Sequence, residues 1–470
     1  MPPVTRSLEQ EFEVVLQRLI ANEHSLALLR WDSYMYGSTK GAQMRANLMG
    51  TLAEDTYRHL TSESVKQVVE QLDPNDLPTG MLSSFTYIQK QARRLEKIPY
   101  EWYTKYEKHA AKAMQMWTEA RKANDFSVFR PFFDRLVALQ MDYADYAGFG
   151  DDRYGAILDL REDGLTSEQV DAWFQQLQEV VLPLLSHVKQ SNKQPKTGFL
   201  FEEIEIEEQM DVAKSLFELT NFDFESGRID SSIHPFFVPL SPEDVRVGIS
   251  APSAKEFKKM MKETLYSCGQ SLFAQTSNHL LQAEVPASMQ QAYGLLFSSF
   301  ISKSKSFFLQ CKEHLPDAIH RYSIDEIHAG MNAVDFTIVK NDSSELMVPL
   351  HLQIGYELEK AIMNGEIATR DLPHVWADKA GDYLSLATPH DLGGILQEYH
   401  FATADFGSQA VELKSYLQAA TLYQTVQKEG DTDSLSAKVD RLRQLIATPQ
   451  KETSTKDFSD WLSLTYTSIY

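Results

Sequence analysis

The sequence predicts a mostly α-helical, single-domain fold with one small β-sheet. Three observations lead there. Apolar residues recur at helical spacing along most of the chain, strand signals are few, and no Pro/Gly/Ser-rich linker or fixed-period repeat divides the 470 residues. At 43% hydrophobic, the chain can fill a large core.

The elements follow in order. In EFEVVLQRLIANEHSLALLRW, Phe12, Val15, Leu16, Leu19, Ile20, Leu26 and Leu29 fall three and four apart, which gives one apolar helix face. The same spacing predicts helices near 64–72, 81–95, 99–123, 166–189, 205–220, 256–282, 290–314, 346–364, 369–384 and 409–428. Thr166 to Gln169 and Ser323 to Glu326 each set a hydroxyl at an N-cap with an amide or acid three residues on, a helix-start pattern. Gly198 and Gly227 read as turns. Strands are expected at 236–238, 244–247 and 336–339, with 346–348 a further candidate. The acidic run 202–208 reads as a solvated helix start.

Forty-five basic against 66 acidic residues give a net charge of −21, which argues against nucleic acid or an anionic membrane as partner. Cys268 and Cys311 are the only cysteines, so no disulfide framework is expected. No run of about 18 apolar residues spans a bilayer, and the start MPPVTRSLEQEF carries no apolar signal core. A cytoplasmic protein is the expectation.

A direct search for chemistry finds little. There is no phosphate-binding G-x-x-x-x-G-K-[ST], no G-x-S-x-G elbow, no C-x-x-C and no H-E-x-x-H. His314 and His320 stand six apart, on different helix faces.

Several separated stretches nevertheless resemble one family. GRIDSSIHPFFVPLSPEDVRV (227–247) carries His234-Pro235-Phe236 followed by Asp244 and Arg246, with Gly248 two residues on. Trp31, Asp32, Gly41, Ala42 and Arg45 stand upstream; Gly394, Gln397, Glu398, His400 and Phe401 stand downstream. In this order and spacing most of them are similar to the M32 family of zinc carboxypeptidases, typified by carboxypeptidase Taq, with Gly248, Glu398 and Phe401 departing from the threonine, aspartate and tryptophan of its motifs. The resemblance implies a helical saddle with a deep groove, an N-terminal helical cap over about 1–125 and a groove-forming body over about 126–470.

The family's zinc helix reads H-E-x-G-H-A-L-Y-E-Q, with two histidines one turn apart on one face and a glutamate that activates the metal-bound water. This chain reads YSCGQSLFAQ. Tyr266 and Gln270 stand at the histidine positions and Ser267 at the general base. Gln291 stands at the third ligand, and Lys340 replaces an arginine implicated in holding the substrate's terminal carboxylate. The metal positions are therefore degenerate, the family zinc is expected to be absent, and no cofactor is expected.

The resemblance leaves three functions open. The first is an inactive homologue. It would bind peptide C-termini through His234, Asp244, Arg246, Lys340, Gln397 and His400, or act as a regulatory partner, as a homodimer or with an active family member. The second is a hydrolase with another site, such as Cys268 paired with His234 or His400. The third is a metal site rebuilt from His234, His400 or Asp405. Beside these stand bland readings. Cys268 is a small core residue, His234 sets a turn before Pro235, Asp244 and Arg246 form an ion pair along a strand, and His400 is a satisfied core histidine.

Overall fold

The computed structural model describes residues 6–232, 234–250, 253–428, 434–446 and 453–470. The chain opens with α1 (Leu8–Met35), α2 (Ala42–Leu60), α3 (Glu63–Gln71) and α4 (Leu82–Leu95). It continues through α5 (Tyr100–Ala123), α6 (Arg130–Ala147), α7 (Arg153–Arg161), α8 (Ser167–Gln190) and α9 (Ile206–Leu219). Strands β1 (Gly227–Ser231), β2 (Phe236–Ser241) and β3 (Asp244–Ile249) follow. Then come α10 (Phe257–Thr276), α11 (Ala287–Leu295), α12 (Lys305–Cys311), α13 (Asp317–His320), α14 (Ile324–Met331) and α15 (Val348–Met363). The chain closes with α16 (Leu372–Leu384), α17 (Tyr399–Ala402), α18 (Ser408–Lys428), α19 (Leu435–Ile446) and α20 (Thr455–Ile469).

Both foreseen capping boxes form. Thr166 Oγ1 accepts from Gln169 N–H at the start of α8, and Ser323 Oγ accepts from Glu326 N–H at the start of α14. Each satisfies a backbone donor that a helix start leaves free. Apolar faces then set the packing. A small core gathers Phe12, Leu16, Val65, Val68, Phe85 and Ile88 from α1, α3 and α4, joined by Leu281 from beyond α10. A much larger core runs from Ile98 to Tyr466 and holds α10, α11, α15 and α18 at its centre. No helix among the described residues is long and apolar enough to cross a membrane.

The sheet has the order β1-β3-β2, with β1 parallel and β2 antiparallel to β3. Pro239 lies on the edge strand beside a bulge, where its missing N–H breaks no ladder on the outer side. Gly248 is explained by its neighbour: a Cβ there would run into the Phe236 ring and come within 2.7 Å of Ser232 Oγ.

Four local expectations fail. Gly227 is not a turn; it opens β1, where a Cβ would lie 2.6 Å from Val245 O, so the glycine permits close pairing with β3. Residues 336–339 form no strand. Their backbone bonds locally, Thr337 N–H to Asp335 O (3.0 Å) and Val339 N–H to Thr337 Oγ1 (3.1 Å), so β-branched composition alone did not recruit a partner. Residues 346–348 turn into α15, whose first turn accommodates Pro349. The long helix expected at 290–314 is broken: α11 passes into a π-helical turn at 296–300 and a 3-10 turn at 301–303 before Ser304 caps α12.

Candidate functional site

The site is built on one close helix crossing. Gly269 of α10 meets the backbone of α11 so tightly that a Cβ would land on the Tyr293 carbonyl oxygen and 3.0 Å from Gly294 Cα. Gly294 in turn makes room for the Tyr266 ring, which would stand 2.7 Å from an added Cβ. Only glycines allow this approach. It brings Tyr266, Ser267 and Gln270 from α10 and Gln291 from α11 onto the wall of one cavity of about 850 Å³. The π-helical turn after α11 borders it through Ser298.

Lys340 and Glu412 line the same cavity and pair at 2.9 Å, and Lys340 Nζ also reaches Gln409 Oε1 at 3.4 Å. Burial works against the Lys340 charge, but Glu412 outweighs it and holds the ammonium above its ordinary pKa. Burial, with Glu412 nearby, pushes the Tyr266 phenol far up, so it stays protonated. Gln291 Oε1 lies 3.1 Å from Ser415 Oγ.

This donor set does not fit zinc. Zn²⁺ takes imidazole, thiolate or carboxylate. Tyr266, Gln270 and Gln291 offer a protonated phenol and two neutral amides. Two carboxylates on the same wall are engaged elsewhere, Glu412 by Lys340 and Glu345 by Lys303 at 3.2 Å.

The other sequence-predicted residues lie off the cavity wall. Arg246 donates to both oxygens of Asp244 (3.0 and 2.8 Å) and stacks its guanidinium 4.4 Å from the Trp31 ring. That ties β3 to α1. His234 is exposed in the loop before β2, and its carbonyl accepts from Ser232 Oγ (2.7 Å). Gln397 donates to Ile338 O and Gly393 O. Cys268 is buried, and burial drives its thiol far up. Asp405 pairs with Arg161 at 2.9 Å.

His400 sits behind the wall in a buried polar relay. Its Nε2 is 2.9 Å from Glu359 Oε1 and its Nδ1 3.4 Å from Glu398 Oε2. Glu359 also accepts from Tyr154 OH (2.6 Å) and Gly407 N–H (2.7 Å), while Glu398 accepts from Trp376 Nε1 (2.7 Å). Burial lowers the His400 pKa, but the two carboxylates outweigh it and the net direction is upward. The Gln409 amide nitrogen lies 2.8 Å from His400 Nδ1, so Lys340, Gln409 and His400 form one continuous chain of contacts from cavity to core.

Sequence reasoning missed one further contact at the cavity. Ser343 Oγ stands 2.9 Å from His351 Nε2, across the turn into α15. Burial, with the Lys340 charge, pulls this imidazole down to about 4. Two such residues eight apart with no helical or strand register between them give no sequence signal.

A helical body with a three-stranded sheet beside the crossing of α10 and α11 defines a class of protein, and comparison with known proteins names it. The sequence matches the family described as Carboxypeptidase Taq (M32) metallopeptidase over residues 11–456. Carboxypeptidase 1 of Bacillus subtilis (strain 168) is 30% identical over 427 residues, covering 88% of this chain and 85% of its own. Thermostable carboxypeptidase 1 of Thermus thermophilus is 27% identical, covering 86% and 83%. The crystal structure of BsuCP superimposes with a TM-score of 0.89 at 28% identity over 99% of this chain and all of its own. The M32 carboxypeptidase of Deinococcus radiodurans R1 shares the fold, with a TM-score of 0.89 at 22% identity over 98% of this chain and 99% of its own. The chain belongs to the M32 carboxypeptidase family.

Proposed function

We propose that this chain is a catalytically inactive member of the M32 family whose cavity binds peptide C-termini. The observation that carries the reading is the donor set: Tyr266, Ser267, Gln270 and Gln291 share one cavity wall and include neither imidazole nor carboxylate. Hydrolysis of the family type needs a Lewis acid and a base for its water, and these residues supply neither. A binding shape is retained. The cavity, about 850 Å³, is within the range of ordinary ligand sites. Lys340 stands on its wall as the cation for a terminal carboxylate, which it would take in place of or beside Glu412, without the bidentate fork of an arginine. Arg246 supports the architecture in this reading, being committed to Asp244 and Trp31. The protein would work in the cytoplasm, as a homodimer or paired with an active family member.

The test has two parts. Peptides with free C-terminal carboxylates should bind at least about tenfold tighter than their amides; equal affinities would sink the peptide reading. Protein purified without added metal or chelator should carry no stoichiometric zinc, whereas about one zinc per chain would defeat the inactive reading.

The contact between Ser343 and His351 favours a second reading, a hydrolase with a non-family site. Its weakness is the imidazole, which at a pKa near 4 is a poor base at neutral pH. Covalent labelling of Ser343 by a fluorophosphonate, abolished in His351→Gln, would support it; no labelling would end it.

A further inference from the structure

Six lysines line the cavity: Lys255, Lys258, Lys259, Lys262, Lys303 and Lys340. Acids line it too, and most are already engaged. Lys258 pairs with Asp335 (2.8 Å), Lys259 with Glu256 (3.8 Å), Lys303 with Glu345 (3.2 Å) and Lys340 with Glu412 (2.9 Å). Lys255 turns to Glu203 at 2.9 Å. Of the remaining acids, Asp342 is exposed, and burial shifts the carboxyl of Glu263 on α10 upward, although it feels the charges of Lys259 and Lys262.

Lys262 has to share its acid. The carboxylate nearest to it is Glu345, at 3.8 Å, whose other oxygen faces Lys303. Among the described residues Lys262 donates no hydrogen bond. Its side chain is 33% exposed, while Glu345 is 1% exposed and Lys303 9%. One buried carboxylate thus serves two cations, with Lys258 one helical turn from Lys262 on the same face.

The placement also runs against helix electrostatics. Lys258, Lys259 and Lys262 occupy the first two turns of α10, the positive end of the helix dipole, and no acid lies in its first turn. Burial first, and then the like charges of Lys258 and Lys262, hold the Lys303 ammonium below its ordinary pKa despite Glu345. An anion entering the cavity would relieve both.

We infer that Lys262, supported by Lys258 and Lys303, forms a second carboxylate subsite, which takes the acidic side chain of a bound peptide and makes acidic tails the preferred ligands. The inference rests on the peptide reading above and adds the ligand's chemistry: one carboxylate for Lys340, another for Lys262. A charge-assisted bond from a partly buried ammonium is strong enough to discriminate Glu from Gln.

The experiment compares fluorescein-labelled peptides ending in Ala-Glu and Ala-Gln, both with free carboxylates, by anisotropy at fixed ionic strength. The Glu peptide should bind about tenfold tighter. Lys262→Gln should bring that ratio close to one and leave binding of the Gln peptide unchanged. Lys258→Gln should lower the ratio in the same direction and serves if the first variant folds poorly. Equal binding of both peptides by the native protein would overturn the subsite alone, as would a ratio that survives Lys262→Gln. Failure of every peptide to bind would overturn the peptide reading, and the subsite with it.

Discussion

Gly269→Ala should destabilise this protein although it replaces glycine by the best helix former inside a helix. In an exposed helix interior that exchange gains up to about 1 kcal/mol. At Gly269 the new Cβ would lie 2.0 Å from the Tyr293 carbonyl oxygen, 1.4 Å inside the 3.4 Å of an ordinary contact. The obstacle is backbone and cannot rotate away. The crossing of α10 and α11 must open by about that amount, in a core where both helices are buried. Overpacking of this kind costs about 1–3 kcal/mol or somewhat more, which outweighs the propensity gain. Gly381→Ala provides the control: that position in α16 is exposed, with nothing within 4 Å of the added carbon. Urea unfolding should show Gly269→Ala less stable and Gly381→Ala more stable than the native chain. A Gly269→Ala protein as stable as the native one would refute the close-crossing account, and with it the explanation of why Tyr266, Gln270 and Gln291 share a wall.

Three other perturbations test separate parts of the structure. His351 has a folded pKa of about 4 against an ordinary 6.5, so it favours the neutral form on folding. Its contribution, about 3 kcal/mol, is complete above pH 6.5 and is lost as pH falls towards 4. The upward shift of His400 acts in the opposite sense, adding stability at low pH that fades as pH rises through its folded value. His351→Asn should therefore flatten the acid limb of a stability–pH curve, and an unchanged limb would contradict the assignment. Glu359→Ala removes the partner of His400, Tyr154 and Gly407 at once and should cost about 3–5 kcal/mol by chemical denaturation; a loss below about 1 kcal/mol would mean that the relay is not energetically coupled. Cys268 and Cys311 are 1% and 0% exposed, so neither should react with a maleimide in the native protein, while both react in denaturant. Rapid native labelling of Cys268 would revive it as a nucleophile.

Much of the fold was legible because helical period is a redundant signal. The apolar face of α1 and the capping boxes of α8 and α14 were each readable from a few residues. What failed was local and depended on a neighbour. Gly227 carries the mark of a turn, and only the approach of β3 makes it a strand start. Residues 336–339 have strand composition without a partner edge. At the site, the positions of Tyr266, Ser267, Gln270 and Gln291 were reachable through spacing and resemblance. The pairing of Arg246 with Asp244 was foreseen as well, but its stacking on Trp31, which holds it off the wall, was not, because that depends on how β3 meets α1. The sharing of one buried acid was hidden for a similar reason. Lys258 and Lys262 look like an ordinary solvated face until Glu345, more than eighty positions beyond Lys262, comes to lie between Lys262 and Lys303.

The contacts from Lys340 through Gln409 to His400 give the cavity a proton inventory. An anion that draws Lys340 away from Gln409 changes the field at a buried imidazole held between two carboxylates. Any proton gained or lost there belongs to the binding equilibrium as much as the ligand does. Reciprocity then makes ligand affinity depend on pH with a slope equal to that proton count. Calorimetry in buffers of different ionisation heat reads that count directly, and it would report the state of a histidine that no ligand touches.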